Sequence, residues 1–171
     1  MEITPWFTRK FDLIEDNGRF ASILERLAGT PLRLANKLQG ISPILLTQKN
    51  NDKWSVQEEV GHILDLEPLW HTRFQDFQAS KEVLTEADLS NRKTFEAKHN
   101  EQDIQKILTS LSTARGQMLN LLFELKASDL KKTALHPRLR TPMRSIDLAF
   151  FVAEHDDHHL ATITQRLQSL S

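Results

Sequence analysis

The 171-residue chain has no cysteine. That excludes disulfides, thiolate metal ligands and a cysteine nucleophile. Any sulfur chemistry would need a thiol brought from outside. Glycine and proline are scarce, with 5 and 6 residues, and they punctuate the chain rather than pervade it. No run approaches the roughly 20 apolar residues that span a bilayer. The start, Met1-Glu-Ile-Thr-Pro-Trp6, lacks the basic-then-apolar layout of a signal peptide, so a cytoplasmic protein is expected. A net charge of −1 supplies no broad basic field. That argues against nucleic acid as the partner.

What remains is an ordinary globular composition, 39% apolar and 26% charged. The length suits one domain over residues 1–171 with a proper core. Apolar residues at helical spacing predict a helix over Phe7–Leu27, interrupted at Gly29-Thr-Pro31 and resumed over Leu32–Leu38. The polar run at 48–53 reads as a turn. Ser55-x-x-Glu58 is a capping box that opens a second helix to about Phe77, with a kink expected at Pro68. Residues 79–100 read as a long polar connection with a short helix at Leu84–Leu89, a length that suggests a segment covering a site. A stripe from Ile104 to Leu125 predicts a third helix. Thr141 as N-cap and Pro142 at the first turn predict a fourth, to about Leu167. No segment alternates like a strand. The expectation is an all-α four-helix bundle with a long crossover between helices 2 and 3.

His155 and His159 are four residues apart in the last helix, so both project from one face about one turn apart. On a helical wheel they share the stripe of Leu148, Val152 and Ile163, while His158 falls at its edge. His62 shares its own stripe with Leu66 and Leu69. A convergent three-histidine metal site is one reading; separate core histidines with hydrogen-bond partners are another. A third pairs Glu59-x-x-His62 with Asp156-x-x-His159 as a di-metal carboxylate site, but the third helix shows no inward Glu. No H-E-x-x-H is present, so no metalloprotease follows. His71, His99 and His136 have no spaced partner and read as surface, loop or supporting residues. Arg138, Arg140 and Arg144 read as a solvated loop and cap.

Five strings, in order, resemble the DinB-like superfamily: Trp54-Ser-Val-Gln-Glu-Glu-Val-Gly-His62; Asp65-Leu-Glu-Pro-Leu-Trp70 with Arg73; Ala87-Asp-Leu-Ser-Asn-Arg-Lys-Thr94; His136-Pro-Arg-Leu with Pro142-Met-Arg; and Ala153-Glu-His-Asp-Asp-His-His-Leu-Ala161. That superfamily includes YfiT-type proteins assigned as metal-dependent hydrolases and bacterial low-molecular-weight-thiol transferases. The resemblance implies up-down-down-up connectivity and one divalent ion held by positions matching His62, His155 and His159. It also implies homodimers, for which Trp6, Phe7, Trp70 and Phe74 offer an apolar patch unless they belong to the core, the equal alternative for each. Many relatives carry a glycine where this chain reads Arg140-Thr-Pro142.

Three neutral imidazoles leave an ion such as Zn²⁺ or Ni²⁺ an open position for water or substrate. Glu58, Glu59 and Asp156 are candidates to hold the outer N–H groups of the ligands. Arg73 and Arg166 share the histidine stripes and are candidates to hold an anionic substrate group. The expected chemistry is thiol transfer from an external low-molecular-weight thiol to an electrophile, or hydrolysis, on a small molecule. A non-catalytic, stress-associated metalloprotein and a plain helical interaction module remain the alternatives.

Overall fold

The computed structural model describes residues 2–49, 51 and 53–170. Of the polar run expected as a turn, residues 50 and 52 lie outside the described residues. Four long helices carry the fold: α1 (Phe20–Leu38), α3 (Val56–Gln78), α5 (Ile104–Phe123) and α6 (Ser145–Leu170). Short helices α2 (Pro43–Thr47) and α4 (Arg92–Glu96) lie in the connections. Helix α1 packs on α5 and α6, and α3 packs on the same two. No helix among the described residues is long and apolar enough to cross a membrane.

Several boundaries differ from expectation. The segment before Phe20 is not a continuous helix; it is extended, with single turns at Trp6–Thr8 and Asn17–Arg19. Tertiary bonds claim its backbone: Asp147 accepts from the Ile14 N–H at 2.7 Å, and Trp6 and Phe11 pack on Phe151. Conversely, α1 runs unbroken through Pro31. A proline inside a helix frees the carbonyl of residue i−4, here Leu27. Arg115 Nη1 donates to that oxygen at 2.9 Å, so the lost bond is replaced from α5. Helix α3 likewise continues through Pro68, and its capping box forms as expected.

The helix expected at Leu84–Leu89 is absent. Leu84 instead donates its N–H to Leu135 O at 3.0 Å, and α4 forms later, after Asn91 at φ 55°. Residues Pro142–Arg144 do not begin α6. They form strand β2, paired antiparallel with β1 (Thr133–Leu135). The intervening turn holds Arg140 at φ 55°, a left-handed conformation that glycine adopts more readily.

Two apolar clusters fill the bundle. One contains Ile23, Leu24, Leu27, Trp70, Phe74, Met118, Leu122, Phe151 and Val152. The other contains Leu34, Leu38, Val56, Val60, Ile63, Ile107, Leu111, Leu160 and Ile163. Between them each long helix contributes a buried polar residue: Thr30, Glu67, Arg115 and Asp156. Arg115 bonds Glu67 Oε1 at 2.5 Å and Asp156 Oδ2 at 2.6 Å, and Thr30 bonds the same Asp156 oxygen at 2.7 Å. Burial works against the Arg115 charge, but the two carboxylates outweigh it and raise its pKa. The aromatic patch expected for a dimer is not formed: Trp70 and Phe74 are buried, and Phe7 is exposed.

Candidate metal centre

Just beside that polar layer, α3 and α6 bring His62, His155 and His159 together. One potential ligand atom from each lies within 4.8 Å of the other two, and all three residues are buried. Among the described residues this is the one such group of His, Cys, Asp or Glu. The Nε2 atoms of His155 and His159 are 3.2 Å apart. Two of the three outer nitrogens are occupied. His159 Nδ1 lies 2.7 Å from Glu59 Oε2, and His62 Nδ1 lies 3.1 Å from Thr94 Oγ1.

The chemistry of this donor set fits a transition-metal ion. Glu59 accepts only, so His159 carries its proton on Nδ1 and turns the Nε2 lone pair inward. Burial first, then His159 and His99, hold the His62 pKa down at about 3. Burial also pulls His155 well below the ordinary imidazole range, with His159 and His62 adding to the effect. At neutral pH both rings therefore keep lone pairs free of protons, as metal ligation requires. His155 Nδ1 is buried without a hydrogen-bond partner, so on that ring only Nε2 faces another imidazole.

The neighbours of the site come from three parts of the chain. Trp54 lies 4.6 Å from His62, ring centre to ring centre, while Trp6 and Trp70 meet His155 edge-on at 5.0 and 5.7 Å. Thr94 comes from α4, so the connection at 79–100 helps orient a histidine of the centre. The segment is seated by His99, whose Nε2 meets Asp65 Oδ2 at 2.8 Å. Its ring lies over Gly61, where a Cβ would come within 2.3 Å of it. A cavity of about 380 Å³ opens onto the three rings. Trp6, Trp54, Trp70 and Phe151 wall it, and residues 86–89, Asn91 and residues 136–138 border it.

The expected supporting residues divide. Glu59 reaches His159. Glu58 instead serves the capping box and pairs with Lys49 at 2.7 Å. Asp156 bonds Arg115 and Thr30, so it joins neither a histidine nor a di-metal site. Arg73 lines the cavity. Arg166 does not: it bonds Glu59 Oε1 at 3.1 Å and braces the carboxylate that serves His159. His136 and His158, set aside on spacing grounds, both line the cavity. Thr94 and Arg115 were not singled out, and Arg138, expected as part of a solvated loop, lines the cavity with its Nη2 buried. Arg115 had left one sign, a charge at the place in the α5 stripe midway between Leu111 and Met118.

The family model for the DinB superfamily matches residues 23–163. The chain belongs to the DinB superfamily. Relatives from Bacillus cereus strains, provisionally named metal-dependent hydrolases, are 28% identical over 123 residues, covering 69% of this chain and 67% of theirs. One from Bacillus mycoides, named in the same way, is 26% identical over 118 residues. Among solved structures, YfiT from Bacillus subtilis is similar, with a TM-score of 0.80 and 20% identity over 95% of this chain and 93% of its own. It is described as a probable metal-dependent hydrolase with an unusual four-helix bundle topology. At that identity the likeness shows the fold alone, and it supports a four-helix bundle for this chain.

Proposed function

We propose that this DinB-superfamily chain is a metal-dependent enzyme acting on small molecules. In this reading His62, His155 and His159 hold one divalent ion, zinc or nickel, through their Nε2 atoms. The observation that carries it is the meeting of three buried imidazoles at the end of a cavity. Since no fourth His, Cys, Asp or Glu joins the group among the described residues, an ion held by these three imidazoles would keep a coordination position for water or substrate from the cavity. A closed structural site would fill it with protein, so the open reading is favoured over a non-catalytic metalloprotein.

Bound there, the ion supplies Lewis acidity toward a water or a thiol in the cavity. The chain's own residues do the rest. Glu59, braced by Arg166, holds the His159 tautomer, and Thr94 orients His62. The tryptophan walls exclude bulk water from the reacting group. Two reactions suit this arrangement. Hydrolysis is the activity in the names of the relatives. In thiol transfer, an external thiol forms a C–S bond to an electrophile, which releases its leaving group with the thiol proton. The chain has no cysteine of its own, so that sulfur would arrive as co-substrate.

The reading extends to the whole chain as one cytoplasmic domain over 1–171. The order in which the helices visit the two clusters supports up-down-down-up connectivity. Helices α1 and α6 pass from the Ile23 cluster to the Leu34 cluster, and α3 and α5 pass the other way. Helices α3 and α5 then run parallel, joined by a crossover at 79–103. The homodimer expectation is read by light scattering. The test of function is turnover of a hydrolysis and thiol-conjugation panel by metal-loaded protein and by His155→Ala. Equal rates would remove the metal from the reaction.

A further inference from the structure

The cavity also holds two guanidinium groups that make no direct ion pair among the described residues. Arg73 is 2% exposed and lines the cavity beyond Trp70, over whose ring its charge lies at 5.4 Å. Its Nε donates to Thr85 O at 2.8 Å, and its Nη1 lies 3.2 Å from His136 Nε2. Its Nη2 makes no hydrogen bond among the described residues. Arg138 lies over Phe7 at 5.2 Å and Phe151 at 6.0 Å. Its guanidinium makes no hydrogen bond or ion pair among the described residues, and its Nη2 is buried without a partner.

No carboxylate among the described residues forms a hydrogen bond or ion pair with either of them. His136, between the two, is held uncharged: burial, then Arg73 and Arg138, lower its pKa to about 3. The rim carboxylates Glu86 and Asp88 are exposed and pair with neither arginine. Asp88 is spent on Ser90 and Arg92. Asp76 lies close enough to support the Arg73 charge but is bonded to Lys81 and Thr85. Two neighbouring cations with unmet donors, both partly removed from water, are costly to keep together. A carboxylate or phosphate accepting from both would offset that cost, since the guanidinium fork matches such groups. The remaining walls are aromatic, and two exposed apolar residues, Phe7 and Leu89, line the same cavity.

We propose that Arg73 and Arg138 form an anion-binding subsite, so that the cavity takes a small amphipathic anion. Its carboxylate or phosphate head sits on the two arginines and its apolar body lies along the tryptophans toward the histidines. This deepens the reading of the cavity as a substrate site and rests on it. Arg73 and Arg138 then set specificity through the head group, at a distance from the reacting atom.

The three tryptophans of the chain all line the cavity, so their fluorescence reports binding directly. The full chain, metal-loaded and EDTA-treated, is titrated with 4-phenylbutyrate, its neutral amide 4-phenylbutanamide and the cation 4-phenylbutylamine. The expected result in both forms is a preference of about tenfold or more for the carboxylate over the amide, with the amine weakest, since a charge-assisted pair is worth roughly 1.5–3 kcal/mol. Arg138→Gln should abolish that preference with amide binding unchanged, and Arg138→Lys should retain part of it. A parallel titration with 3-phenylpropyl phosphate tells which head group the arginines favour. Equal binding of carboxylate and amide, or no binding of either anion, overturns the subsite. So does a preference that appears only with metal and survives Arg138→Gln, because the anion then sits on the ion. Absence of bound metal would sink the proposed enzyme function while leaving the EDTA-treated readout intact.

Discussion

Glu59 Oε2 accepts from His159 Nδ1 at 2.7 Å, and the other oxygen of the same carboxylate meets Arg166 at 3.1 Å. One side chain, three residues before His62 on α3, therefore fixes a histidine on α6. Glu59→Gln removes the charge and leaves the shape. Metal affinity should fall about 10- to 100-fold, measured by competition with a fluorescent chelator. Arg166→Gln, one step further out, should cost less.

Loss of any one imidazole leaves two donors. His62→Ala, His155→Ala and His159→Ala should each lower the bound metal of untagged protein from about one equivalent toward zero. Helical circular dichroism should stay close to wild type, because the two apolar clusters lie on either side of the site. Elemental analysis after dialysis reads the outcome; a full equivalent retained in all three would refute the assignment.

The Glu67–Arg115–Asp156 layer is buried, and Arg115 supplies its cation. Arg115→Met leaves two carboxylates without their partner and also strips the donor from Leu27 O, the carbonyl freed by Pro31. A loss of about 3–5 kcal/mol is expected, read from urea denaturation. Replacing Glu67, Arg115 and Asp156 together by apolar residues of similar volume should recover much of it.

Acid should destabilise the metal-free protein. The folded-state pKa of His136 lies at about 3, below its ordinary 6.5, so between those values the unfolded chain binds the extra proton. Stability is then fully present above pH 6.5 and declines as pH falls toward 3. His136→Gln should lessen that decline by one group's share, with His62 and His155 still contributing theirs; urea midpoints at pH 7.5 and 5 in EDTA make the comparison.

Gly61 lies beneath the His99 ring, and a methyl group there would sit 2.3 Å from it. Gly61→Ala should displace His99 and, with it, the segment that carries Thr94. Faster amide exchange over 92–101 and weaker metal binding are expected. Wild-type exchange there would show that the ring moves freely aside.

The local patterns of the chain placed α3, α5 and α6 to within a turn or so and α1 only in part, because 3.6-residue apolar periodicity and the Ser55–Glu58 box act over one or two turns. The i,i+4 spacing placed His155 and His159 on one face for the same reason. That His62 belonged with them came from the ordered family strings, since spacing alone also allowed separate core histidines. Other features rested on partners far away in the sequence. Pro31 stays helical only because Arg115 meets the freed Leu27 carbonyl, and Pro142 is a strand residue because Leu135 pairs with it. Glu59 served the site where Glu58 did not, because each Glu took the partner that packing placed within reach. Sequence by itself thus determined the helices, the paired histidines and the lack of internal thiol. Tertiary structure alone decided which charges are paired, which are left facing the cavity, and what holds each imidazole, because hydrogen bonds and ion pairs depend on distances that no local pattern encodes.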